Sequence, residues 1–462
     1  MVSKFICTLK TRLFLSILLF SSSLLYPQQQ NDKVSDMDLL KLFKNTSLQG
    51  HVRNFTMATF NDADLRDYAT NASGGVITIT TPNLKGFEAG VAASLTLKTI
   101  GNNLTALDLE AGKGSKWELE LYDSFNADNN FNQLMRLDEL YLKYQYKQHY
   151  ISYGKIGVEY TRIINKRDTR MNRFAHRGAW LHLDFNATHT FDAAWLDGVS
   201  PRASYDWFDF DEVFGMASQG FQPNGKPAAY RGLYPSHGVG IFNYQFHADQ
   251  FDINVTNFLF DKINTTTWLE AEYSVSDFEF GLQYALTVAL SHNQILSYAQ
   301  RYMQPDEQAH VFSSHVSWNQ QRWKFDVAYT HALNTGRFLF PKELGRDDFF
   351  TSIPRSRLEG LGGVDVFAIH TDYTFLKPDL QLSFAYQEVI GAEVGQFQLN
   401  KYNIDSTRQL NSQIKFKPHR FVEGLSFELL WVYRRYKNEH SPELIFNKGD
   451  FHQLNFVTNY NF

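Results

Sequence analysis

Two clusters of charged residues have the most chemically suggestive spacing in the chain. The first runs from Arg162 through Lys166, Arg167, Asp168, Arg170 and Arg173 to Arg177, six cations against one acid. The second runs Arg346-Asp347-Asp348 and then Arg355-Ser356-Arg357-Leu358-Glu359-Gly360, with both signs mixed. A guanidinium keeps its charge and presents its donors in a rigid fork, so a row of arginines can pass a carboxylate from one bidentate contact to the next. Conduction needs contacts that are favourable but weak and repeated. Acidic groups opposite would hold an ammonium or guanidinium on the same solute. The same charges also suit a plainer role, pairing with one another to fasten loops to a wall.

Catalytic chemistry has less support. His176, Asp184, His189 and Asp192 could be assembled into a hydrolase-like list, but with 15 histidines in the chain such proximity is expected by chance. Neither a nucleophile elbow nor a His-Glu-x-x-His spacing occurs, so the residues imply no catalytic site, no metal and no cofactor. His182, at alternating distance from Trp180 and Asp184, reads as a strand residue.

The elements that would position these charges are strands. In Gln453 to Phe462, Leu454, Phe456, Thr458, Tyr460 and Phe462 share one face and Gln453, Asn455, Asn459 and Asn461 the other. Similar alternation recurs in Gly90 to Lys98, Trp117 to Tyr122, Leu269 to Leu286, Trp323 to Thr330, Leu380 to Gln387 and Leu425 to Tyr433. Each is predicted to be a strand. Lys147-Gln148-His149 and Ser276-Asp277 read as tight turns, and Pro201 to Gly240 and Arg337 to Val364 as long loops. Asp32 to Lys44 has a helical pattern too short for a plug domain.

Export is the expectation at the N-terminus. Lys4, Lys10 and Arg12 precede the apolar run Leu13 to Phe20, followed by Ser21-Ser22-Ser23, the order of a secretory signal peptide with cleavage between 23 and 30. Cys7 is the only cysteine and falls within that segment, which leaves no disulfide, thiolate metal site or cysteine nucleophile. Removing those three cations changes the formal charge from −5 to −8, which argues against a nucleic-acid partner. Beyond residue 27 no apolar run approaches the roughly 20 residues of a membrane helix. A membrane protein of this composition, 16% aromatic and 20% charged, must be a barrel whose strands hide their apolar character in alternation.

With these residues in view, the chain resembles the OprD-type family of outer-membrane porins, in particular the branch seen in Bacteroidetes-like bacteria. The resemblance takes in Gly50-His51-Val52-Arg53-Asn54, Leu65-Arg66-Asp67-Tyr68-Ala69, Gly74-Gly75, Arg136-Leu137-Asp138-Glu139-Leu140-Tyr141, both charged clusters and the aromatic end. It covers nearly all of the chain after the signal peptide. It implies an 18-stranded barrel with inward-folded loops and a narrow pore in which basic side chains face acidic groups. An Asp-x-Arg element matches Asp168 and Arg170, and an Arg-x-Arg-x-Glu-Gly element matches Arg355, Arg357, Glu359 and Gly360. Two departures stand out: Leu344 where an aromatic is expected, and no prolines flanking Asp168 to Met171.

The expectation is therefore an all-β transmembrane antiparallel barrel of about 18 strands: signal peptide 1–27, periplasmic segment 28–45, barrel 46–462. Its pore residues are expected among Arg53, Arg136, Arg162, Arg167, Asp168, Arg170, Arg173, Arg177, Arg346, Asp347, Arg355, Arg357 and Glu359. Passive diffusion of small charged solutes in the outer membrane of a Gram-negative bacterium is the function implied. The partners implied are those solutes, membrane lipid and, through the last strand, the barrel-assembly machinery, with a monomer favoured. A closed-barrel receptor or adhesin is the rival reading, and a hydrolase a more distant one.

Overall fold

The computed structural model describes residues 45–462 apart from 63, 127–130, 159–160, 165–169 and 376–378. The expected signal peptide, the helical reading of 32–44, Lys166, Arg167 and Asp168 lie outside the described residues.

Strands dominate. They are β1 (Ser47–Asn61), β2 (Tyr68–Thr80), β3 (Phe87–Gly101), β4 (Leu134–Tyr146), β5 (His149–Ile156), β6 (Ala175–Asn186) and β7 (His189–Ser200). Then come the two-residue β8 (Phe208–Asp209), β9 (Val239–Ala248), β10 (Phe251–Phe260), β11 (Asn264–Val275), β12 (Phe278–Ala289) and β13 (Gln308–Gln320). The last are β14 (Trp323–Ala332), β15 (Val364–Thr374), β16 (Leu380–Ile390), β17 (Thr407–Phe416), β18 (Leu425–Tyr436) and β19 (Phe451–Asn461). Each long strand pairs antiparallel with its neighbours, and β1 closes on β19 from His51↔Asn461 to Asn61↔Phe451. β7 continues the ring to β9, while β8 touches only the end of β7. The result is a closed barrel of 18 strands with β8 outside the ring.

Closure without an edge satisfies every strand's backbone groups within the wall, which is what a lipid environment demands. The side chains fit that environment. Along β12, Phe278, Phe280 and Leu282 are exposed on the outer face, whereas Gly281, Gln283 and Ala285 are buried on the inner one. Leu48, Val52, Leu142, Tyr153, Phe242, Ile253, Phe312, Val327, Phe367, Phe384 and Leu454 continue the exposed apolar face around the wall. Soluble proteins do not expose an apolar surface of that extent.

Connections differ sharply at the two ends. At one end β4–β5, β9–β10, β11–β12 and β13–β14 join through two residues each. Lys147, Asp249, Ser276 and Gln321 take positive φ as the first residue of these turns, the backbone form whose twist matches paired strands. At the other end lie the long connections 102–133, 157–174, 201–238 and 333–363. Segments of these pack inside the barrel, where Trp117, Leu121, Phe174, Phe210, Phe214, Phe338 and Phe349 are buried.

One predicted strand is not a strand. Trp117 to Tyr122 lies in the β3–β4 connection and forms a 3-10 turn at Leu119–Leu121. Six residues of alternation fit a short irregular segment as well as a strand, provided one side packs and the other meets water. Here Trp117, Leu121 and Tyr122 pack against Phe55, Met57 and Tyr68 of the wall. Glu118, itself buried, accepts hydrogen bonds from Thr59 and Ser115 and ties the segment to β1.

Candidate functional site

The misread segment carries the centre of the inner charge cluster. Glu120 Oε2 accepts from Arg170 at 3.0 Å and from Arg202 at 3.1 Å, so one carboxylate joins three different connections. Arg53 of β1 donates to the Arg170 carbonyl, and its Nε donates to Asn459 at 2.6 Å, which anchors this junction to the β19–β1 seam. Arg355 adds a cation from the 333–363 connection. It donates to Gln453 of β19 and lies 5.4 Å from the centre of the Trp117 ring. Arg434 of β18 holds the Arg355 carbonyl at 2.6 Å. Arg346 and Arg202 lie 5.6 and 5.9 Å from the Phe174 ring, and Lys116 lies 4.3 Å from that of Trp117. Aromatic faces thus stand beside several of these cations and add to their support.

The electrostatics follow from that crowding. Burial opposes the charge on Glu120, but Arg202, Arg170, Arg346 and Lys116 outweigh it and hold the carboxyl well below the usual carboxylate range. Lys116 goes the other way. The protein packed around it pushes its ammonium down to about 8; Glu120 opposes the shift, while Arg434, Arg346 and Arg355 add to it.

A second group lies half a circuit away, since β11 is the tenth strand of the ring counted from β1. Its Glu270 pairs with Arg162 at 2.5 Å, with Glu272 and Asp348 each 3.7 Å from the same guanidinium. Three acids therefore surround this guanidinium. The basic and acidic groups come close together in the chain at Arg346 and Asp348, two residues apart on the 333–363 connection. That connection is stitched to 157–174 by Arg346 N donating to Ile163 O at 3.0 Å. Gly345 is required there, because a Cβ would run into the Ile163 carbonyl.

Other expected site residues are engaged elsewhere. Arg136 is buried; it pairs with Asp138 and donates to Ser200 Oγ at 2.9 Å, Ser204 O at 3.1 Å and the Arg173 carbonyl at 2.7 Å, fastening two connections to β4. Arg173 pairs with Glu139 at 2.7 Å and lines a cavity of about 460 Å³ together with His51, Thr78, Asp138 and Met171. Arg177 joins Asp197 and Asp209 at 2.7 and 2.6 Å. Arg357 donates to the carbonyls of Ile353 and Ser356, and buried Asp347 accepts from Leu358 N at 2.9 Å. Burial pushes the Asp347 carboxyl up, with Arg357 opposing. Glu359 sits apart from the strip, 3.2 Å from Lys401 and bonded to Tyr402. Burial opposes its charge too, yet Lys401 and Lys342 hold its carboxyl below the ordinary value.

Of the expected residues, then, Arg53, Arg170, Arg346 and Arg355 converge. Lys116, Glu120, Arg202, Arg434, Glu270 and Glu272 were not among the expected site residues, and Asp348 was noted only as part of the second charged cluster. Arg434, Glu270 and Glu272 had a usable signal, a charge on a strand face that lies opposite a largely apolar one. The hydrolase list does not assemble: Nε2 of His176 meets Leu344 O at 3.0 Å, His189 contacts Tyr244 at 2.8 Å, and Asp192 accepts from Trp180 at 3.1 Å.

Comparison of the structure with solved ones is decisive for the architecture. Pseudomonas aeruginosa OccK9 (OpdG) superposes with a TM-score of 0.69 at 13% identity, covering 91% of this chain and 99% of that one. The fold is that of the OprD-type porins. Acinetobacter baumannii OccAB2 matches equally, with a TM-score of 0.69 at 14% identity over 91% of this chain and 99% of that one. Pseudomonas aeruginosa OpdK, solved with vanillate, gives 0.64 at 13% identity over 91% and 99%. No family model and no curated protein matches the sequence. In this OprD-type barrel the connections 102–133, 157–174, 201–238 and 333–363 all contribute charges to the lumen, and the basic strip takes a residue from each of them.

Proposed function

We propose that this barrel is a porin of the Gram-negative outer membrane through which small carboxylate-bearing solutes diffuse passively, guided by the strip Arg170, Arg202, Arg346, Arg355 and Lys116. The observation that carries this reading is that Glu120 binds Arg170 and Arg202 while the charges of Arg346 and Lys116 crowd it, so that four connections contribute here and, among the described residues, cations outnumber carboxylates along the strip. A surplus of guanidiniums with aromatic support offers successive weak sites for an oxyanion. The acidic group on β11 and Asp348 would bind the cationic end of a zwitterion. Vanillate, present with OpdK, is an aromatic carboxylate and belongs to the class this strip suits.

The test is single-channel conductance and reversal potential of the purified barrel in a planar bilayer under a salt gradient, repeated with Arg346→Ala and Arg355→Ala. Discrete openings, with anion preference reduced in both variants and with block by an aromatic carboxylate weakened, support the proposal. A folded barrel without openings overturns it in favour of a closed-barrel receptor. Openings whose selectivity in both variants equals that of the wild type overturn the role of the strip.

A further inference from the structure

The inner face of β11 to β15 carries a further cluster, which shares Glu272 with the acidic group and otherwise lies outside the proposed solute contacts. Glu272 of β11, Glu279 of β12 and His315 of β13 each present one ligand atom, and these three atoms lie within 4.8 Å of one another. Acidic clusters are common, so the imidazole is the informative member. The His315 side chain is only 7% exposed, and among the described residues its Nε2 has no hydrogen-bond partner, with Glu279 Oε1 3.7 Å away. Its Nδ1 meets Asp326 Oδ2 of β14 at 2.6 Å. An ionised carboxylate only accepts, so Nδ1 carries the proton and the Nε2 lone pair points towards the two glutamates.

The surroundings hold that ring in place. Phe350 stacks on it at 3.8 Å and 14°. Gly281 abuts the edge of the stacked pair, where a Cβ would run into both the imidazole and the Phe350 ring. His370 of β15 lies 3.2 Å from the other Asp326 oxygen and steadies that carboxylate in turn. An imidazole held through one nitrogen by a carboxylate, with the other nitrogen facing anionic oxygens, is the outer-shell arrangement of metal-binding histidines. Among the described residues, Glu270, Glu272, Glu279 and Asp326 outnumber Arg162, which is bonded to Glu270 and lies 3.7 Å from Glu272.

We propose that Glu272, Glu279 and His315 form a binding site for a divalent transition-metal ion of the zinc class, with Asp326 as the positioning residue. One imidazole and two carboxylates supply three ligands at about 2.0–2.2 Å, with water completing the shell. Closing from the present spacing requires only rotation of the two glutamates, whose side chains are 27% and 31% exposed. Occupancy would neutralise part of the acidic wall while leaving the basic strip unchanged.

Equilibrium binding tests this without reference to conduction. Metal-free barrel purified from membranes is titrated calorimetrically with ZnCl2, with MgCl2 as control, alongside Glu279→Gln, His315→Gln and Asp326→Asn. Folding of each variant is checked by circular dichroism and heat-modifiable gel migration. One zinc per barrel, unaffected by magnesium and weakened at least tenfold in both ligand variants, is the expected result. Asp326→Asn should keep the stoichiometry and weaken binding by about 10–100-fold. Should His315→Gln misfold, Glu279→Gln decides alone, because that side chain is partly exposed and packs little. Absence of a single-site isotherm in the wild type, or affinity unchanged in either folded ligand variant, overturns the site.

Discussion

The basic strip and the acidic wall are built differently. Lys116, Arg170, Arg202, Arg346 and Arg355 all stand on connections, and what places them is packing inside the barrel on Trp117, Phe174 and Glu120. Glu270, Glu272 and Glu279 stand on β11 and β12, where the hydrogen-bond ladder sets their spacing through pairs such as Glu270↔Gln283 and Glu272↔Gly281. A ladder fixes register residue by residue, and a one-residue slip would turn the acids to lipid. Packed loops have no such constraint. The strip should therefore respond to loop substitutions that leave the wall untouched, and each prediction below separates the two.

The largest effect is expected at Glu120. Glu120→Gln leaves Arg170 and Arg202 facing each other in a mostly buried site, which should cost about 3 kcal/mol and lower the denaturation midpoint of the barrel. The pH dependence carries its own sign. The Glu120 carboxyl is held below its ordinary value, so its contribution is present above the usual carboxylate range and is lost as pH falls through the depressed value. The wild type should lose stability in acid more steeply than the variant, as read by urea titration from pH 7 downward.

Gly345→Ala should come next, at about 1–3 kcal/mol, because the added methyl forces apart the two connections stitched at Ile163. Arg346 and Asp348 would both move, so conductance should change together with selectivity; unchanged conductance would show that the stitch does not set the constriction. A smaller shift is expected from Arg162→Ala. With the Arg162 guanidinium removed, the group Glu270, Glu272 and Asp348 should increase cation preference while block by carboxylates at the strip persists. The smallest effect belongs to Lys116. With its ammonium pushed down to about 8, anion preference should fall as pH rises through that value, and Lys116→Arg should flatten the dependence because a guanidinium stays charged. Reversal potentials measured between pH 6 and 10 decide this.

Much of the fold was legible because a barrel strand has to alternate: β3, β11, β12, β14, β16, β18 and β19 were all read from their two faces. The long connections 201–238 and 333–363 were also visible through their Gly, Pro and aromatic content. The strip was only partly legible. Arg170, Arg346 and Arg355 drew attention as dense charge, yet Glu120, the anion they surround, lay in a segment whose alternation imitated a strand. Arg136 and Arg177 have the same residue type and a similar setting in the chain, but they close local ion pairs with Asp138, Asp197 and Asp209.

Sequence alone determined the class of this protein: alternating faces, tight turns and a high aromatic content admit few solutions other than a closed sheet in lipid, because only closure satisfies every backbone group there. Tertiary structure decided which charges meet. Glu120 joins Arg170 and Arg202 from 50 and 82 residues away, and His315 faces carboxylates contributed by two other strands. Contacts at such separations depend on ring closure and on how the connections fold inward, and local residue order carries no record of either.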